Sequence, residues 1–224
     1  MKLALFDLDH TLIPFDSGMA WTEWLASQGV LPADAPQRHL DLCHAYVAGR
    51  QDIRGLHRAT VGPLAPLSAA DLARLAQGFA AAVAPRLPAA SHALVAQHRD
   101  AGHRCVLVTA TTRFIAAVFA QAFGLHDLIA TESARDDSGH LTGEVIGEPC
   151  WGPHKIAHVE AWLARHSAPR LADCAFSAFY SDSASDLPLL LAVQQPVAVR
   201  PDERLRHEAQ ALNWPVLSLT DPLA

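Results

Sequence analysis

The sequence predicts an α/β protein in three layers, a mostly parallel sheet with helices on both faces, carrying a block of helices inserted after the first strand. Three observations predict it. The apolar run Leu3 to Phe6 stops abruptly at Asp7 and Asp9, as a buried parallel strand does at its carboxyl end. From about Ser17 to Leu87 the apolar spacing is helical, with no convincing strand. From about Ala89 onward helices and short apolar strands alternate, which argues for crossover units on a parallel sheet. On this pattern residues 1–14 and 86–224 form the core and 15–85 the insertion. At 224 residues, half of them apolar, the chain is long enough for one large domain with a substantial core.

Within the insertion, Met19, Trp21, Trp24 and Leu25 recur at helical intervals until Gly29 and Pro32 stop them. A second helix over about 36–48 ends at Gly49, and a third over about 52–60 precedes Gly62-Pro63. Ser68 to Asp71 has the spelling of a capping box and opens a fourth helix that runs to about Val83. In the core, a helix over 89–101 ends at Gly102, and 104–109 is a buried strand. Phe114, Ile115, Val118, Phe119 and Ala122 share one helix face, closed by Gly124. A third strand covers 128–130, and Asp137-Ser138-Gly139 turns a hairpin. Residues 156–166 read as helix, 175–180 as strand, and 184–193 as a helix broken or started by Pro188. Strands at 196–199 and 215–219 flank a last helix.

Composition excludes several classes of function. With 17 Lys+Arg against 23 Asp+Glu, the net charge of −6 offers no general attraction for a nucleic acid, though a bound metal ion can reverse the sign of a local site. The four cysteines stand far apart without a C-x-x-C pair, as expected of reduced thiols in a cytoplasmic protein. Asp7 and Asp9 end the N-terminal apolar run too early for a signal peptide, and no later run reaches the length of a membrane span.

The chemistry gathers where strands end. The first strand runs into Asp7-Leu8-Asp9-His10-Thr11, the second into Thr109-Ala110-Thr111, and the strand at 175–180 into a segment holding Asp182 and Asp186. In a parallel sheet such tips converge, and ligands bind there. Clustered carboxylates repel one another unless a cation neutralises them, and Mg²⁺ suits a few carboxylates with waters and a substrate phosphate. Asp7 and Asp9, two apart, share a face of an extended chain, so one could attack phosphorus while the other supplies a proton. Thr109 suits a hydroxyl donor to a phosphoryl oxygen, aided by the N–H groups of Ala110 and Thr111. Lys155 is one of only two lysines, and an ammonium beside a nucleophilic carboxylate and a phosphate would explain it. Cys150 and His154 alone do not make a zinc site. Asp16, where the chain enters the helical block, is open to two readings, an N-cap or a group facing the substrate. Arg54 and Arg58 are loose candidates for a substrate carboxylate.

Phe6-Asp7-Leu8-Asp9-His10-Thr11-Leu12 resembles the D-x-D-x-T signature of the haloacid dehalogenase-like phosphatases, with Thr109, Lys155 and Asp182 with Asp186 resembling their second, third and fourth motifs. The helical insertion is similar to the cap of the subfamily that includes phosphoserine phosphatases, and Cys150 to Lys155 and Ser181 to Leu190 look most like its branch with histidinol-phosphatase-type members. The resemblance implies a Rossmann-like core, Asp7 as nucleophile through an aspartyl-phosphate, and Asp9 as general acid and then base. It implies Mg²⁺ held by Asp7, Asp182 and the main-chain carbonyl of Asp9, with Asp186 in support. Thr11, Thr109, Ala110 and Lys155 would bind phosphate or balance charge, and Asp16 would face a substrate amine. His10 and Ser181 depart from the phosphoserine phosphatase pattern, where a small residue and a glycine are usual. The expectation is a Mg²⁺-dependent phosphomonoesterase for a small metabolite, histidinol phosphate or phosphoserine. A phosphomutase or phosphotransferase on the same scaffold, or a phosphorylatable signalling module, is the alternative.

Overall fold

The computed structural model describes residues 1–166 and 170–219. Six parallel strands form one sheet in the order β3-β2-β1-β6-β7-β8. They are β1 (Lys2–Phe6), β2 (Arg104–Thr112), β3 (Asp127–Thr131), β6 (Phe176–Ser181), β7 (Gln195–Val199) and β8 (Val216–Leu217). Strand β1 lies in the middle, with Phe6 opposite Leu107 on one side and Tyr180 on the other. Its side chains alternate between two cores as the pleat requires. Ala4 and Phe6 enter one and Leu3 and Leu5 the other, while Cys105 and Leu107 oppose Val106 and Val108 in the same way on β2.

Each core is closed by its own helices, which makes the three layers. Helices α7 (His154–Arg165), α8 (Leu187–Ala192) and α9 (Glu203–Ala211) cover one face, burying Val159, Leu163, Leu190 and Leu205. Helices α5 (Ala89–Asp100) and α6 (Arg113–Ala122) cover the other, through Val95 and Phe119. Burying such a side chain contributes roughly 1.5–3 kcal/mol. The expected helix at 184–193 is split. A short 3₁₀ turn precedes α8, whose first turn holds Pro188 because proline lacks the N–H that a first turn does not use. The expected strand at 215–219 is reduced to Val216 and Leu217, and β2 runs three residues further than its apolar run, to Thr112.

Between β1 and α5 the chain forms α1 (Ser17–Ser27), α2 (Ala35–Val47), α3 (Ile53–Val61) and α4 (Ala69–Val83), with no strand among them. Asp16, Asp52 and Ser68 cap α1, α3 and α4, each accepting a backbone N–H. The Ser68 cap differs from a capping box, since its hydroxyl donates to the Asp71 carboxylate while accepting the Asp71 N–H. Phe79 of α4 meets Trp21 of α1 at 5.1 Å between ring centroids and Phe119 of α6 at 5.9 Å, so the inserted helices share the first core. The hairpin β4 (Ser133–Arg135) and β5 (Leu141–Val145) packs on α3. Gly143 allows that approach. Its φ is +83°, and a Cβ there would stand 3.0 Å from the Gly62 backbone.

Candidate active site

The connections after β1 lead to β2 and β3 on one side of the sheet, and those after β6 lead to β7 and β8 on the other. The crevice this reversal leaves lies at the carboxyl ends of β1 and β6, where an open α/β sheet binds its ligand. Asp7 and Asp182 occupy it, with the β2 tip beside them. A cavity of about 630 Å³ opens over all three tips and extends among the inserted helices.

The turn after β1 is tight. Thr11 and Ile13 both donate their N–H groups to the Leu8 carbonyl, at 3.2 and 3.1 Å, and His10, just before Thr11, takes a φ of +56°. Arg200 secures it from outside, donating to the carbonyls of Thr11 at 2.6 Å, His10 at 3.1 Å and Ile13 at 3.3 Å. The turn aims Thr11 back at the cluster. Its hydroxyl lies 3.1 Å from both Asp7 Oδ2 and Asp182 Oδ1 and accepts the Asp182 N–H. One hydroxyl has one proton, so the two carboxylates share it.

Lys155 enters from the opposite face of the sheet. Gly152, at a φ of +50°, turns the chain into α7, and Lys155 Nζ donates at 2.7 Å to both Asp7 Oδ1 and Asp186 Oδ2. Burial opposes its charge, yet Asp186 and Asp7 hold the ammonium above the ordinary lysine range. Asp186 also accepts from Ser181 Oγ at 2.7 Å, while its Oδ1 is buried without a hydrogen-bond partner. Burial, then the nearby Asp7 charge, raise the Asp186 carboxyl above its usual range, with Lys155 opposing.

Asp9 is held separately. Its Oδ1 accepts the Ser17 N–H at 2.6 Å and its Oδ2 the Thr111 hydroxyl at 2.7 Å, and Thr111 Oγ1 in turn lies 2.9 Å from Ser17 Oγ. Burial, then the charges of Asp16 and Asp7, push its pKa up to about 7 despite those two hydrogen bonds. Asp182 is pushed up to about 8, by burial and then by Asp7. Asp16 fits the N-cap reading. It caps α1 through the Met19 N–H at 2.6 Å and lines the cavity, 3.8 Å from His39 Nε2. Burial alone would lower the His39 imidazole, but Asp16 and Cys43 beside it carry its pKa up to about 9.

Other expected residues sit differently. Thr109 is buried at the β2 tip, and its hydroxyl accepts the Thr111 N–H at 3.1 Å, so that N–H, expected to serve a phosphoryl oxygen, is already engaged. Ala110 lines the cavity beside it. Arg54 donates to Glu148 and the Gly147 carbonyl, and Arg58 to both oxygens of Glu144, on the exposed side of α3. Neither of these loose candidates is among the residues that line the cavity over the carboxylates. Cys150 donates its thiol to the Ile129 carbonyl, buried away from His154. Sequence reasoning missed the Ser17 and Thr111 hydroxyls, His39 and Arg200. Only Ser181, noted as a departure from glycine, carried a signal.

A divalent cation fits this donor set. Among the described residues no group of three or more His, Cys, Asp or Glu side chains is placed to hold a metal ion by itself. What the site offers is Asp7 and Asp182, both meeting the Thr11 hydroxyl, with the orphaned Asp186 Oδ1 able to accept from a bound water. Such a partial set suits Mg²⁺, which keeps several waters and shares its shell with phosphate. The carboxyls of Asp9 and Asp182 are raised by burial first and by neighbouring carboxylates second, and a cation would relieve the second of these.

A parallel α/β sheet that gathers acidic strand ends around one lysine defines a class of hydrolase, and the family model for haloacid dehalogenase-like hydrolase matches residues 4–191. The chain belongs to that family. It is 35% identical to a histidinol-phosphatase of Neisseria meningitidis serogroup C, over 97% of this chain and 98% of the relative. It is 30% identical to the phosphoserine phosphatase SerB1 of Mycobacterium tuberculosis, over 95% of this chain and 69% of that one. Among solved structures, a Bordetella pertussis protein of unknown function superposes with a TM-score of 0.91 at 42% identity, covering 97% and 98% of the two chains. A substrate-bound phosphoserine phosphatase shares the fold, with a TM-score of 0.67 at 16% identity over 96% of this chain and 92% of its own. No helix among the described residues is long and apolar enough to cross a membrane.

Proposed function

We propose that this protein is a Mg²⁺-dependent phosphomonoesterase acting on a small amino-alcohol phosphate, with histidinol phosphate preferred over phosphoserine. The observation that carries the reading is the setting of Asp7. Its two oxygens are fixed by Lys155 and Thr11 while its carboxylate borders the cavity. A carboxylate held in this way is a nucleophile in a fixed orientation, and effective catalysis depends on that orientation.

In the reaction an Asp7 oxygen forms a bond to phosphorus and the bond from phosphorus to the substrate alcohol breaks. The leaving alkoxide takes its proton from Asp9, whose pKa of about 7 keeps a proton available near neutrality. Asp9, now a carboxylate, removes a proton from water. That water attacks the aspartyl-phosphate, the bond from phosphorus to Asp7 breaks, and inorganic phosphate leaves. Asp7, Asp182 and the Asp9 carbonyl would hold Mg²⁺, which when bound supplies positive charge to the phosphoryl oxygens. Lys155 balances the Asp7 carboxylate, and Ser17 and Thr111 aim the Asp9 carboxyl.

Three features support the amino-alcohol substrate. Asp16 places a carboxylate in the cavity wall, where an ammonium group would share it with His39. Arg54 and Arg58 are occupied elsewhere, which leaves the carboxylate of phosphoserine without either guanidinium. The Neisseria relative is a histidinol-phosphatase by name. The test is phosphate release by purified protein with Mg²⁺ from histidinol phosphate, phosphoserine and hexose phosphates. Release from histidinol phosphate with the highest kcat/KM is expected. Preference for hexose phosphates, or isomerisation of them without phosphate release, would sink the reading.

A further inference from the structure

Past the carboxylates the cavity widens between α2, α3 and the loop before α7. Leu40, Val47, Ile53 and Leu56 make much of its wall. Two larger side chains complete it. Tyr46 comes from α2 and Trp151 from the loop before α7, and their rings meet edge to face, 6.4 Å between centroids at 76°. The Trp151 indole N–H interacts with the Tyr46 hydroxyl.

These rings are not explained by packing. Neither belongs to either hydrophobic core, and both are partly exposed at the cavity. Large aromatic side chains left out of a core and turned to a cavity are available to a ligand. Their position relates them to the chemistry. The Tyr46 phenol lies close enough to Asp186 and Lys155 to feel both charges. Trp151 begins the turn that delivers Lys155, its carbonyl accepting the His154 N–H at 3.0 Å. The rings line the same cavity as Asp7, Asp182 and Lys155 rather than a separate depression.

From this placement we infer that Tyr46 and Trp151 form a subsite for a planar ring on the substrate alcohol, selecting heteroaromatic amino-alcohol phosphates over ringless ones. The inference rests on the phosphomonoesterase reading and specifies its leaving group. Aromatic rings offer a planar guest edge or face contacts, and a protonated heterocycle adds attraction to the ring faces. An advantage of about tenfold in affinity is the expected scale.

Two alcohols that differ in the ring test it on the wild-type protein without turnover. L-Histidinol and L-alaninol are titrated calorimetrically in the presence of Mg²⁺ and inorganic phosphate. Histidinol is expected to bind about tenfold more tightly, Trp151→Ala and Tyr46→Ala to bring the ratio towards one, and Trp151→Phe and Tyr46→Phe to keep most of it. Equal affinities in the wild type, or a ratio that survives both alanine substitutions, overturn the subsite. Assaying the two phosphate esters in parallel separates the claims. Ring-selective binding without any phosphate release sinks the phosphatase reading and leaves the subsite standing. Turnover of both esters with equal kcat/KM sinks the subsite and leaves the phosphatase reading standing.

Discussion

In the proposed mechanism Asp7 and Asp9, two residues apart, take different tasks because their hydrogen-bond partners differ. Asp7 meets the Lys155 ammonium at 2.7 Å, whereas the Asp9 carboxyl, with Asp16 and Asp7 near it, has its pKa pushed up to about 7, by burial first. Replacing Asp7 with Asn removes the attacking oxygen, because an amide cannot form the acyl-phosphate. A loss of at least about 10³-fold in kcat is expected, measured on folded protein checked for deamidation. A tenth of wild-type activity surviving would count against the mechanism. Thr111 makes a finer test. Its hydroxyl stabilises the ionised form of Asp9, so Thr111→Val should raise the Asp9 pKa further. The alkaline limb of the kcat/KM profile should then move to higher pH, with kcat falling about tenfold as the carboxyl loses its aim. An unmoved limb would remove Thr111 from any role at Asp9.

At the scale of elements, helix α4 couples the insertion to the sheet through Phe79, which is 1% exposed between Trp21 and Phe119. Phe79→Ala should cost about 3–5 kcal/mol, read as a lower denaturant midpoint in a single transition. A separate early transition of the inserted helices would show that they fold independently. The same elements show what the sequence could disclose. Strand β1, the four inserted helices and the hairpin followed from apolar period and from Gly, Pro and cap residues, all local signals. The aspartates were legible because each ends a strand, and a strand end has a known place in a parallel sheet. Partners made by tertiary packing were not. Ser17 reaches Asp9 only through the entry angle of α1, and Tyr46 meets Trp151 only after α2 has folded over the core. Arg54 and Arg58 looked available because nothing local reveals that β5 and the loop after it bring Glu144 and Glu148 to them.

Over the whole molecule, the active site is a source of instability that the rest of the fold offsets. Asp7 and Asp186 hold the ammonium of Lys155, while Asp182 and Asp9 are pushed up to about 8 and about 7, by burial first and then by neighbouring carboxylates. A carboxyl whose folded pKa exceeds its unfolded value near 3.8 favours folding while it stays protonated. That contribution is complete below about pH 4 and is lost as pH rises through the folded values. In a chelator the melting temperature should therefore fall from about pH 4 to about pH 8 and level off above. A bound divalent cation replaces the missing positive charge. At a hundred times its dissociation constant it stabilises by about 2.7 kcal/mol, or roughly 5–10 °C for a domain of this size. The Mg²⁺-induced rise should be larger at pH 8 than at pH 6, where protons compete with the ion for the same oxygens. Asp182→Asn separates cause from coincidence, because it removes both the repulsion and a ligand. In chelator at pH 8 that variant should melt above the wild type, and Mg²⁺ should add little. A variant that melts lower and still responds fully to Mg²⁺ would place the cation away from Asp182, and with it the charge balance on which the proposed chemistry depends.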